Sequence, residues 1–411
     1  MTPAPRSLRA RWVFPIDQPP LRDGVVDIQG ESIVAVRAYR AGEMVDDLGD
    51  VAILPGLVNA HTHLEFSRLE QPLGHAQIGF ADWIRQVIDY RLGEEARTGD
   101  PGQWRMEGVS AGVAETKAAG VAVVGEIATS SWPESLVNNA PLEFVVFAEL
   151  LGMSPERVEP LWQAAEEHVA AGQLVERRWL AGLCPHAPYT VHPELIARSC
   201  RLSSAEHFPV AMHLAESLEE IELLQSGSGA LLEFLESRQV YPRSVIPRGA
   251  CPLDYLQALD QAERSLVVHG SYLSPEEIEY VGQRNEKMSV VYCPRTHAWF
   301  NAGDYPLAAM LAANVNVCLG TDSRASNPDL NLWEELRFVA HRQSGITPEG
   351  VLYLGTQAGA DALGSGDKFG SLQVGKSSQL SFVTLGATDA ADPYDLLFHD
   401  GTVARPVVFM S

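Results

Sequence analysis

The fold of this chain is decided by the stretch Ile53-Leu-Pro-Gly-Leu-Val-Asn-Ala-His-Thr-His-Leu64, an apolar run that ends in two histidines one residue apart. In a β-strand, residues i and i+2 point to the same face of the sheet. His61 and His63 can therefore reach one metal ion from the end of a single strand. A lone His-x-His pair is weak evidence, because two structural histidines at a half-exposed strand end explain it about equally well.

The composition limits the kinds of partner that the protein can have. The 411 residues are 46% apolar and 20% charged, which is typical of a globular protein with a large core. The formal net charge of −23 argues against nucleic acid and anionic membranes, because binding to phosphates needs a basic surface. No run of the sequence approaches the length of a membrane span. We therefore expect a small-molecule substrate.

The cysteines and the N-terminus indicate a cytoplasmic protein. The five cysteines are scattered, and none forms a Cys-x-x-Cys pair. That pattern favours reduced thiols over a disulfide framework or a thiolate zinc site. Residues 1–7 contain no apolar segment of the kind found in signal peptides.

From residue 53 onward, apolar and β-branched runs alternate with amphipathic helical stretches such as 80–91 and 218–235. The runs are almost continuously hydrophobic, as expected of parallel strands that are buried on both faces. Eight β/α units predict a closed (β/α)8 barrel of the TIM type. The alternative is an open doubly wound sheet, which needs a glycine-rich nucleotide loop that this sequence lacks. The predicted strands are 53–58, 121–126, 144–150, 180–184, 209–213, 265–269, 289–293 and 315–319.

Both ends of the chain have the pattern of short strands punctuated by turn residues. We expect residues 1–52 and 366–411 to form one small β-sandwich domain, with strands at 379–383 and 402–410. Residues 53–365 are then the barrel domain. Two independent flanking arms are the alternative arrangement.

Polar residues follow the carboxyl ends of five predicted strands, and in a barrel this end carries the active site. Nitrogen and carboxylate ligands without cysteine suit Zn²⁺, or else Fe²⁺. The only lysine between the first and fifth strands, Lys117, falls in a predicted helix, so we expect one divalent metal rather than a bridged pair. The polar residues are His61 and His63 on strand one, His186 on strand four, His213 and Glu216 on strand five, His269 on strand six, and Asp322 and Ser323 on strand eight.

These motifs closely resemble the amidohydrolase superfamily, over nearly the whole chain. Within it they resemble the mononuclear deaminase branch, which includes cytosine, guanine and adenosylhomocysteine deaminases and the triazine hydrolases. The segments that carry the resemblance are Pro55-Gly-Leu-Val-Asn-Ala-His-Thr-His63, His186-Ala-Pro-Tyr-Thr190, His213-x-x-Glu216, His269 and Gly320-Thr-Asp322-Ser323.

The resemblance implies a role for each of these residues. His61, His63, His213 and Asp322 bind the metal, and Asp322 also takes a proton from the attacking water. His269 hydrogen-bonds the hydroxide that results. Glu216 carries a proton to the ring nitrogen and then to the departing amine. A structural alternative makes Glu216 a first-turn acid that only complements a helix dipole. The resemblance further implies a homodimer.

The resemblance implies a cyclic amidine deaminase, which hydrolyses an aminated heteroaromatic and releases ammonia. The segment His63-Leu-Glu-Phe-Ser67 and the predicted helix 80–91 are most similar to aminodeoxyfutalosine deaminases, which favours an adenine-type nucleoside. The alternatives are a triazine or chlorohydrolase-type reaction, another C–N amidohydrolase, or deamination of guanine, adenosylhomocysteine or methylthioadenosine. A non-enzymatic barrel would be expected to lack ligands that this sequence retains.

Several further residues are candidates for binding substrate. Arg91 stands near the position where adenosylhomocysteine deaminases usually have a glutamate, and it can pair with a substrate carboxylate. It can equally be a helix C-terminal cation. After strand seven, Arg295 and His297 are placed to line the pocket, although an ordinary packed loop explains them too. Ser323 can orient substrate or simply cap a helix, and His186 completes this set.

Overall fold

The computed structural model describes residues 5–129, 132–138, 140, 142–174, 179–239, 246, 249–301, 303–386, 388–399 and 401–407. Its strands in chain order are β1 (Arg6–Val13), β2 (Leu21–Gln29), β3 (Ser32–Ala38), β4 (Asp46–Asp47), β5 (Val51–Pro55), β6 (Leu57–Thr62), β7 (Val121–Ala128), β8 (Glu143–Leu150), β9 (Trp179–Pro185), β10 (Pro209–Leu214), β11 (Arg264–His269), β12 (Met288–Tyr292), β13 (Asn316–Leu319), β14 (Leu380–Thr384) and β15 (Ala404–Pro406).

The α-helices follow the strands in the expected alternation, and single-turn 3₁₀ helices lie at Leu64–Phe66, Pro155–Arg157 and Pro393–Leu396. The α-helices are α1 (Phe80–Thr98), α2 (Pro101–Ala118), α3 (Glu134–Asn138), α4 (Val158–Gly172), α5 (Pro193–Glu206), α6 (Leu218–Ser226), α7 (Ala230–Ser237), α8 (Pro252–Leu259), α9 (Pro275–Gly282), α10 (Pro294–Phe300), α11 (Leu307–Ala312), α12 (Leu332–Arg342), α13 (Pro348–Leu354) and α14 (Gln357–Ala362).

The strands β6 to β13 form an eight-stranded sheet in which each strand pairs with the next in the chain. Every pairing between these neighbours is parallel. A parallel bridge between Thr62, the last residue of β6, and Asp322, three residues beyond the end of β13, joins the first barrel strand to the segment after the last one. The predicted (β/α)8 barrel is therefore confirmed, and its closure lies at the end where β6 carries the two histidines.

The predicted first strand, 53–58, is wrong in its boundaries. Gly56 divides this apolar run, so that β5 belongs to the terminal sheet and β6 belongs to the barrel. A Cβ atom on Gly56 would lie 2.4 Å from Cβ of Ala122 and 2.8 Å from the carbonyl oxygen of Gln379. Glycine is needed because backbone from both sheets approaches closely at this point.

The two ends of the chain combine in one small β-domain, as predicted. Its seven strands are hydrogen-bonded into a single mixed sheet. The central strand β5 pairs with β1 on one side and with β14 on the other, so strands from both ends of the chain meet in it. The apolar face of this sheet buries Leu8, Val26, Ile53 and Leu380 in a core of its own. The end of the predicted strand 402–410 lies outside the described residues.

The predicted helix 218–235 is two helices, α6 and α7. Gly227 and Gly229, which separate them, have φ angles of 62° and 98°. These left-handed conformations end α6 and change the direction of the chain before α7 begins. None of the described helices combines the length and the apolar character that a membrane span requires.

Candidate active site

The four predicted metal ligands converge at the carboxyl end of the barrel. Ring nitrogens of His61, His63 and His213 all lie within 4.8 Å of one another. Asp322 places Oδ1 at 3.6 Å from Nε2 of His61 and 3.7 Å from Nε2 of His63. All four side chains are buried. The first, fifth and eighth strands thus bring three imidazoles and one carboxylate to one point.

The hydrogen bonds of the histidines leave lone pairs for a cation. Nδ1 of His213 lies 3.0 Å from the carbonyl oxygen of His186, so Nδ1 carries the proton and Nε2 is free to coordinate. That Nε2 faces Nε2 of His63 at 3.3 Å. Both nitrogens of His61 and Nδ1 of His63 are buried without a partner among the described residues. Converging unpaired nitrogens beside a carboxylate fit a divalent metal ion.

Burial also holds these histidines in the form that binds a metal. It lowers the pKa of His61 to about 3. It lowers the pKa of His63 and His213 well below the ordinary value, and neighbouring histidines add to the effect. The imidazoles are therefore neutral near pH 7, and metal binding does not have to displace protons from their coordinating atoms.

Two side chains that the sequence patterns did not single out fix the geometry of Asp322. The hydroxyl of Ser326 donates to Oδ2 of Asp322 at 2.7 Å, which leaves Oδ1 facing the histidines. Asn59 donates to the hydroxyl of Thr321 at 2.8 Å and accepts the N–H of Thr321 at 3.1 Å. Asn59 belongs to the same period-two series as His61, so strand periodicity contained the signal for it.

The structure brings Glu216 and His269 together beside the ligands. Oε1 of Glu216 lies 3.4 Å from Nε2 of His269, and both side chains are buried. Burial raises the pKa of Glu216 well above the ordinary value, and the charge of Asp322 adds to the effect. A carboxyl group of this kind can hold a proton near neutral pH and hand it to a substrate.

The loop that carries Glu216 is held by a second carboxylate. Glu220 accepts the main-chain N–H groups of Ala215 and Glu216, each at 2.9 Å. Ala215 has a φ of 53°, a left-handed conformation that costs free energy for a residue with a side chain. The bonds to Glu220 hold this turn, and they direct Glu216 toward the ligands rather than along α6.

His186 lies next to the ligand cluster and faces an acid that the sequence patterns did not reveal. Its ring centroid is 4.8 Å from that of His213. Its Nδ1 is 2.7 Å from the hydroxyl of Thr190, and its Nε2 is 3.7 Å from Oε1 of Glu149. Burial raises the pKa of Glu149 to about 7. Glu149 lies near the carboxyl end of the apolar strand β8. An acidic residue at that position was the one indication of it in the sequence.

Arg91 lies at the wall of the site. Its Nε and Nη2 atoms donate to Oε1 of Glu65 at 3.1 and 2.5 Å, and its guanidinium carbon is 5.1 Å from the ring centroid of Phe66. The charge of Arg91 contributes to the lowered pKa values of His63 and His186, after burial. The side chain keeps 24% of its surface exposed in addition to its bonds to Glu65.

Arg295 is not brought to the ligand cluster. Its Nε donates to Glu335 at 2.6 Å, and its Nη2 and Nη1 donate to Asp329 at 2.6 and 3.1 Å. These partners tie α10 to the start of α12 and give Arg295 a structural role, while its contact with substrate stays a prediction. The partners lie more than thirty residues away in the sequence, which hid this role.

The remaining two predicted substrate residues have local partners. Nδ1 and Nε2 of His297 lie 3.3 Å from the hydroxyl of Ser271 and 3.1 Å from the carbonyl oxygen of Gly303. His297 is close enough to His269 for its charge to contribute to lowering the pKa of His269. The hydroxyl of Ser323 accepts the N–H of Ala325 at 3.2 Å within a turn, and the next helix, α12, begins only at Leu332, so Ser323 does not cap a helix.

The segment between β6 and α1 crosses the mouth of the barrel. Leu73 donates its N–H to the carbonyl oxygen of Ala325 at 2.9 Å, and Gln77 donates to that of Trp299 at 2.7 Å. The first two N–H groups of α1 are accepted by the carboxylate of Glu219, each at 2.9 Å. The segment after the first barrel strand is thereby bonded to α6, to α10 and to the loop after β13, over the end of the barrel that carries the candidate ligands.

Comparison with known proteins agrees with this fold. The chain is 29% identical to an aminodeoxyfutalosine deaminase of Deinococcus radiodurans over 379 residues, 87% of this chain and 85% of the relative. It is 28% identical to a 5-methylthioadenosine/S-adenosylhomocysteine deaminase of Desulforudis audaxviator, over 88% of this chain and 79% of the relative. A zinc-bound adenosine deaminase of Xanthomonas campestris superposes with a TM-score of 0.74 and 26% identity, covering 93% of this chain and 85% of that one.

The profile of the amidohydrolase family matches residues 52–408, which include the whole barrel and every residue of the ligand cluster. The resemblance that the motifs suggested is thus confirmed, and the enzyme class is a hydrolase of C–N bonds other than peptide bonds. This chain belongs to the amidohydrolase family.

Proposed function

We propose that this protein is a zinc-dependent deaminase of adenine-type nucleosides, which replaces the exocyclic amine with oxygen and releases ammonia. The observation that carries the proposal is the pairing of Glu216 with His269 at 3.4 Å, directly beside three histidines and Asp322. The deaminase relatives support an aminated base as substrate, and the zinc-bound adenosine deaminase supports zinc as the metal.

His61, His63, His213 and Asp322 would hold the zinc ion. When bound, the ion supplies a Lewis acid that lowers the pKa of water at the site toward neutrality. Asp322 accepts a proton from the attacking water at Oδ1, because Ser326 keeps Oδ2 engaged. His269 orients that water through Nε2. Their joint effect is to generate a nucleophile at the carbon that carries the amine.

Glu216 handles the second proton. Its raised pKa allows it to be protonated when substrate binds, so that it can donate to the ring nitrogen next to the reacting carbon. The ionised Glu216 then takes the remaining proton from the hydroxyl added to the carbon and passes it to the departing amine, and the proton held by Asp322 restores Glu216. The bonds from Ala215 and Glu216 to Glu220 keep the carboxyl group in place during both transfers.

Among adenine-type nucleosides, aminodeoxyfutalosine is the substrate that we favour. Its benzoate carries a carboxylate, and Arg91 presents a cation at the wall of the site, 24% exposed beyond its bonds to Glu65. Arginine matches carboxylates in shape and charge. Methylthioadenosine has no such group and would leave Arg91 without a ligand partner.

The test is ammonia release by the purified protein after reconstitution with zinc or iron. The panel contains aminodeoxyfutalosine, methylthioadenosine, adenosylhomocysteine, adenosine, guanine, cytosine and a chlorotriazine. We expect one zinc per chain and the highest kcat/KM with aminodeoxyfutalosine. Turnover of the chlorotriazine alone, or of no aminopurine at all, would refute the proposal.

A further inference from the structure

The two turns that carry Glu216 and His269 are both held in a strained backbone conformation. We call residues 214–217 the glutamate turn and residues 269–272 the histidine turn. His269 has a φ of 72°, and Ala215, which precedes Glu216, has a φ of 53°. Left-handed values of φ cost free energy for residues with a side chain, so they persist only where the surroundings hold the backbone. The contacts that hold these turns therefore decide where the two side chains point.

Main-chain hydrogen bonds join the two turns to each other. The N–H of Gly270 donates to the carbonyl oxygen of Leu214 at 3.0 Å, and the N–H of Tyr272 donates to that of Ala215 at 3.0 Å. These bonds couple the positions of the two turns. The 3.4 Å pairing of the glutamate and histidine side chains thus depends on both turns together.

A tyrosine from a separate segment of the chain is bonded to the histidine turn. The hydroxyl of Tyr305 donates to the carbonyl oxygen of His269 at 2.7 Å. Tyr305 lies between α10 and α11, and it is buried. A buried hydrogen bond constrains both of its partners, because breaking it leaves two polar atoms unsatisfied. Tyr305 thereby fixes the peptide group between His269 and Gly270, next to the strained φ.

The ring of Tyr305 is itself held in one position. It stacks on the ring of Tyr292 at the end of β12, with the ring centroids 3.7 Å apart and the planes inclined by 11°. The ring of His297 meets it edge-on, with the centroids 5.3 Å apart. His297 in turn lies between the hydroxyl of Ser271, in the histidine turn, and the carbonyl oxygen of Gly303. The hydroxyl of Tyr305 is therefore directed at the histidine turn by its own neighbours.

We propose that Tyr305 is a positioning residue for the proposed deamination, because its hydroxyl holds the histidine turn and so keeps Nε2 of His269 directed at Glu216 and at the attacking water. This inference rests on the proposed function, since it assigns a residue that serves the same reaction. Tyr305 acts through the carbonyl oxygen of His269 and needs no contact with substrate. Without the hydroxyl, the turn can relax toward ordinary values of φ, which moves the imidazole away from Glu216.

The experiment compares wild type with Tyr305→Phe, which keeps the ring and removes only the hydroxyl. The matched control is Tyr394→Phe. Tyr394 is also buried, its hydroxyl donates to Glu349 at 3.4 Å, and its ring packs on Phe14. Both changes are also made in the His269→Gln background. The zinc-loaded proteins are assayed for kcat and KM with the nucleoside that wild type deaminates fastest, and zinc content is recorded for each protein.

We expect Tyr305→Phe to lower kcat about tenfold, the effect of one lost hydrogen bond, while KM and zinc content stay unchanged. Tyr394→Phe should keep wild-type kcat. In the His269→Gln background, Tyr305→Phe should lower the residual kcat by less than about twofold, because the side chain that it positions is gone.

Three results would overturn the inference while the deaminase function stands. They are an unchanged kcat in Tyr305→Phe, an equal loss of kcat in both backgrounds, and a loss of bound zinc or of the folded state, which would show a purely structural role. Failure of wild type to deaminate any nucleoside would overturn the proposed function and the inference together.

Discussion

The main-chain N–H of Asp322 donates to the carbonyl oxygen of His61 at 3.1 Å, so two residues of the candidate metal centre also close the barrel. The side chains of the same two residues lie 3.6 Å apart. Backbone closure and ligand geometry are therefore fixed by the same contact, and a metal ion held by both residues would stabilise the junction between β6 and β13.

Removal of the metal is expected to lower the melting temperature. A ligand that binds only the folded state adds about 4 kcal/mol when it is present at about 1,000 times its Kd. We expect a chelator to shift the unfolding transition down by several degrees, and one equivalent of zinc to restore it. Differential scanning calorimetry measures the shift. His61→Ala should show no response to zinc, and an equal response in that variant would contradict the assigned site.

Glu216→Gln is expected to keep its metal and lose most turnover. The amide has nearly the same shape, but it cannot carry a proton to the ring nitrogen or the amine. A positioned acid–base group contributes about 10²- to 10⁴-fold, so kcat should fall within that range while zinc stays at one per chain. Glu222→Gln, at an exposed position on α6, the helix that follows Glu216, is the control. Full activity of Glu216→Gln would remove Glu216 from the reaction.

Ser326→Ala is expected to loosen Asp322. The variant loses the 2.7 Å hydrogen bond to Oδ2, so the carboxylate can turn away from the histidines. Residues that orient metal ligands typically contribute about 10- to 100-fold to metal affinity or activity. Zinc titration with a competing chelator, together with kcat, measures this loss. Ser204→Ala, at an exposed site on α5, should change neither quantity.

Arg91→Lys is expected to weaken binding of a substrate that carries a carboxylate. Lysine can keep a charge beside Glu65, but it cannot hold Glu65 and a second carboxylate at once. KM for aminodeoxyfutalosine should rise about tenfold, the effect of one lost charge-assisted hydrogen bond, while KM for methylthioadenosine stays unchanged. Arg85→Lys, more exposed on the same helix, serves as the control. Parallel increases in both KM values would argue against a carboxylate contact.

Acid is expected to destabilise the metal-free protein through His186. Its pKa is lowered by burial to about 3 in the folded state, against 6.5 for an ordinary histidine. Between these values the unfolded chain binds a proton that the folded chain does not, so stability falls as the pH falls from 6.5 toward 3. The slope is about 1.4 kcal/mol per pH unit, or about 2 kcal/mol between pH 6.5 and 5.0.

The measurement is urea denaturation at pH 7.5, 6.5 and 5.0 for wild type and His186→Gln. The variant should lose less stability with acid by about 2 kcal/mol, because other titrating groups are common to both proteins. His341→Gln, at an exposed position in α12, should follow wild type. Identical acid slopes for wild type and His186→Gln would mean that His186 takes up its proton in the folded state.

The barrel was predictable because strands buried on both faces are mostly apolar along their length, and because polar residues then concentrate at their carboxyl ends. The predicted metal ligands His61, His63, His213 and Asp322 follow from this rule. Gly56 was harder to interpret, since an apolar run shared by two sheets looks like one strand. Its role depends on the approach of Ala122 and Gln379, which no local pattern encodes.

The residues that face the substrate were less predictable, because the role of a charged side chain depends on which residues pair with it in the fold. Arg295 and Arg91 have equivalent chemistry, yet Glu335 and Asp329 enclose the first, whereas Glu65 leaves part of the second exposed. Glu149 was hidden for the opposite reason. One acid within the apolar strand β8 gives a weak local signal, and only the fold shows that His186 stands opposite it.

The division of one apolar run at Gly56 has a consequence for protein engineering. The terminal sheet and the strand that carries His61 and His63 are separated by this single residue, so the sheet acts as a mechanical anchor for half of the ligand set. Chimeras that exchange barrels between relatives should therefore transfer both chain ends together with the barrel. A flexible linker inserted at Gly56 would leave the sheet and the barrel folded, yet it would release the first two ligands from their support.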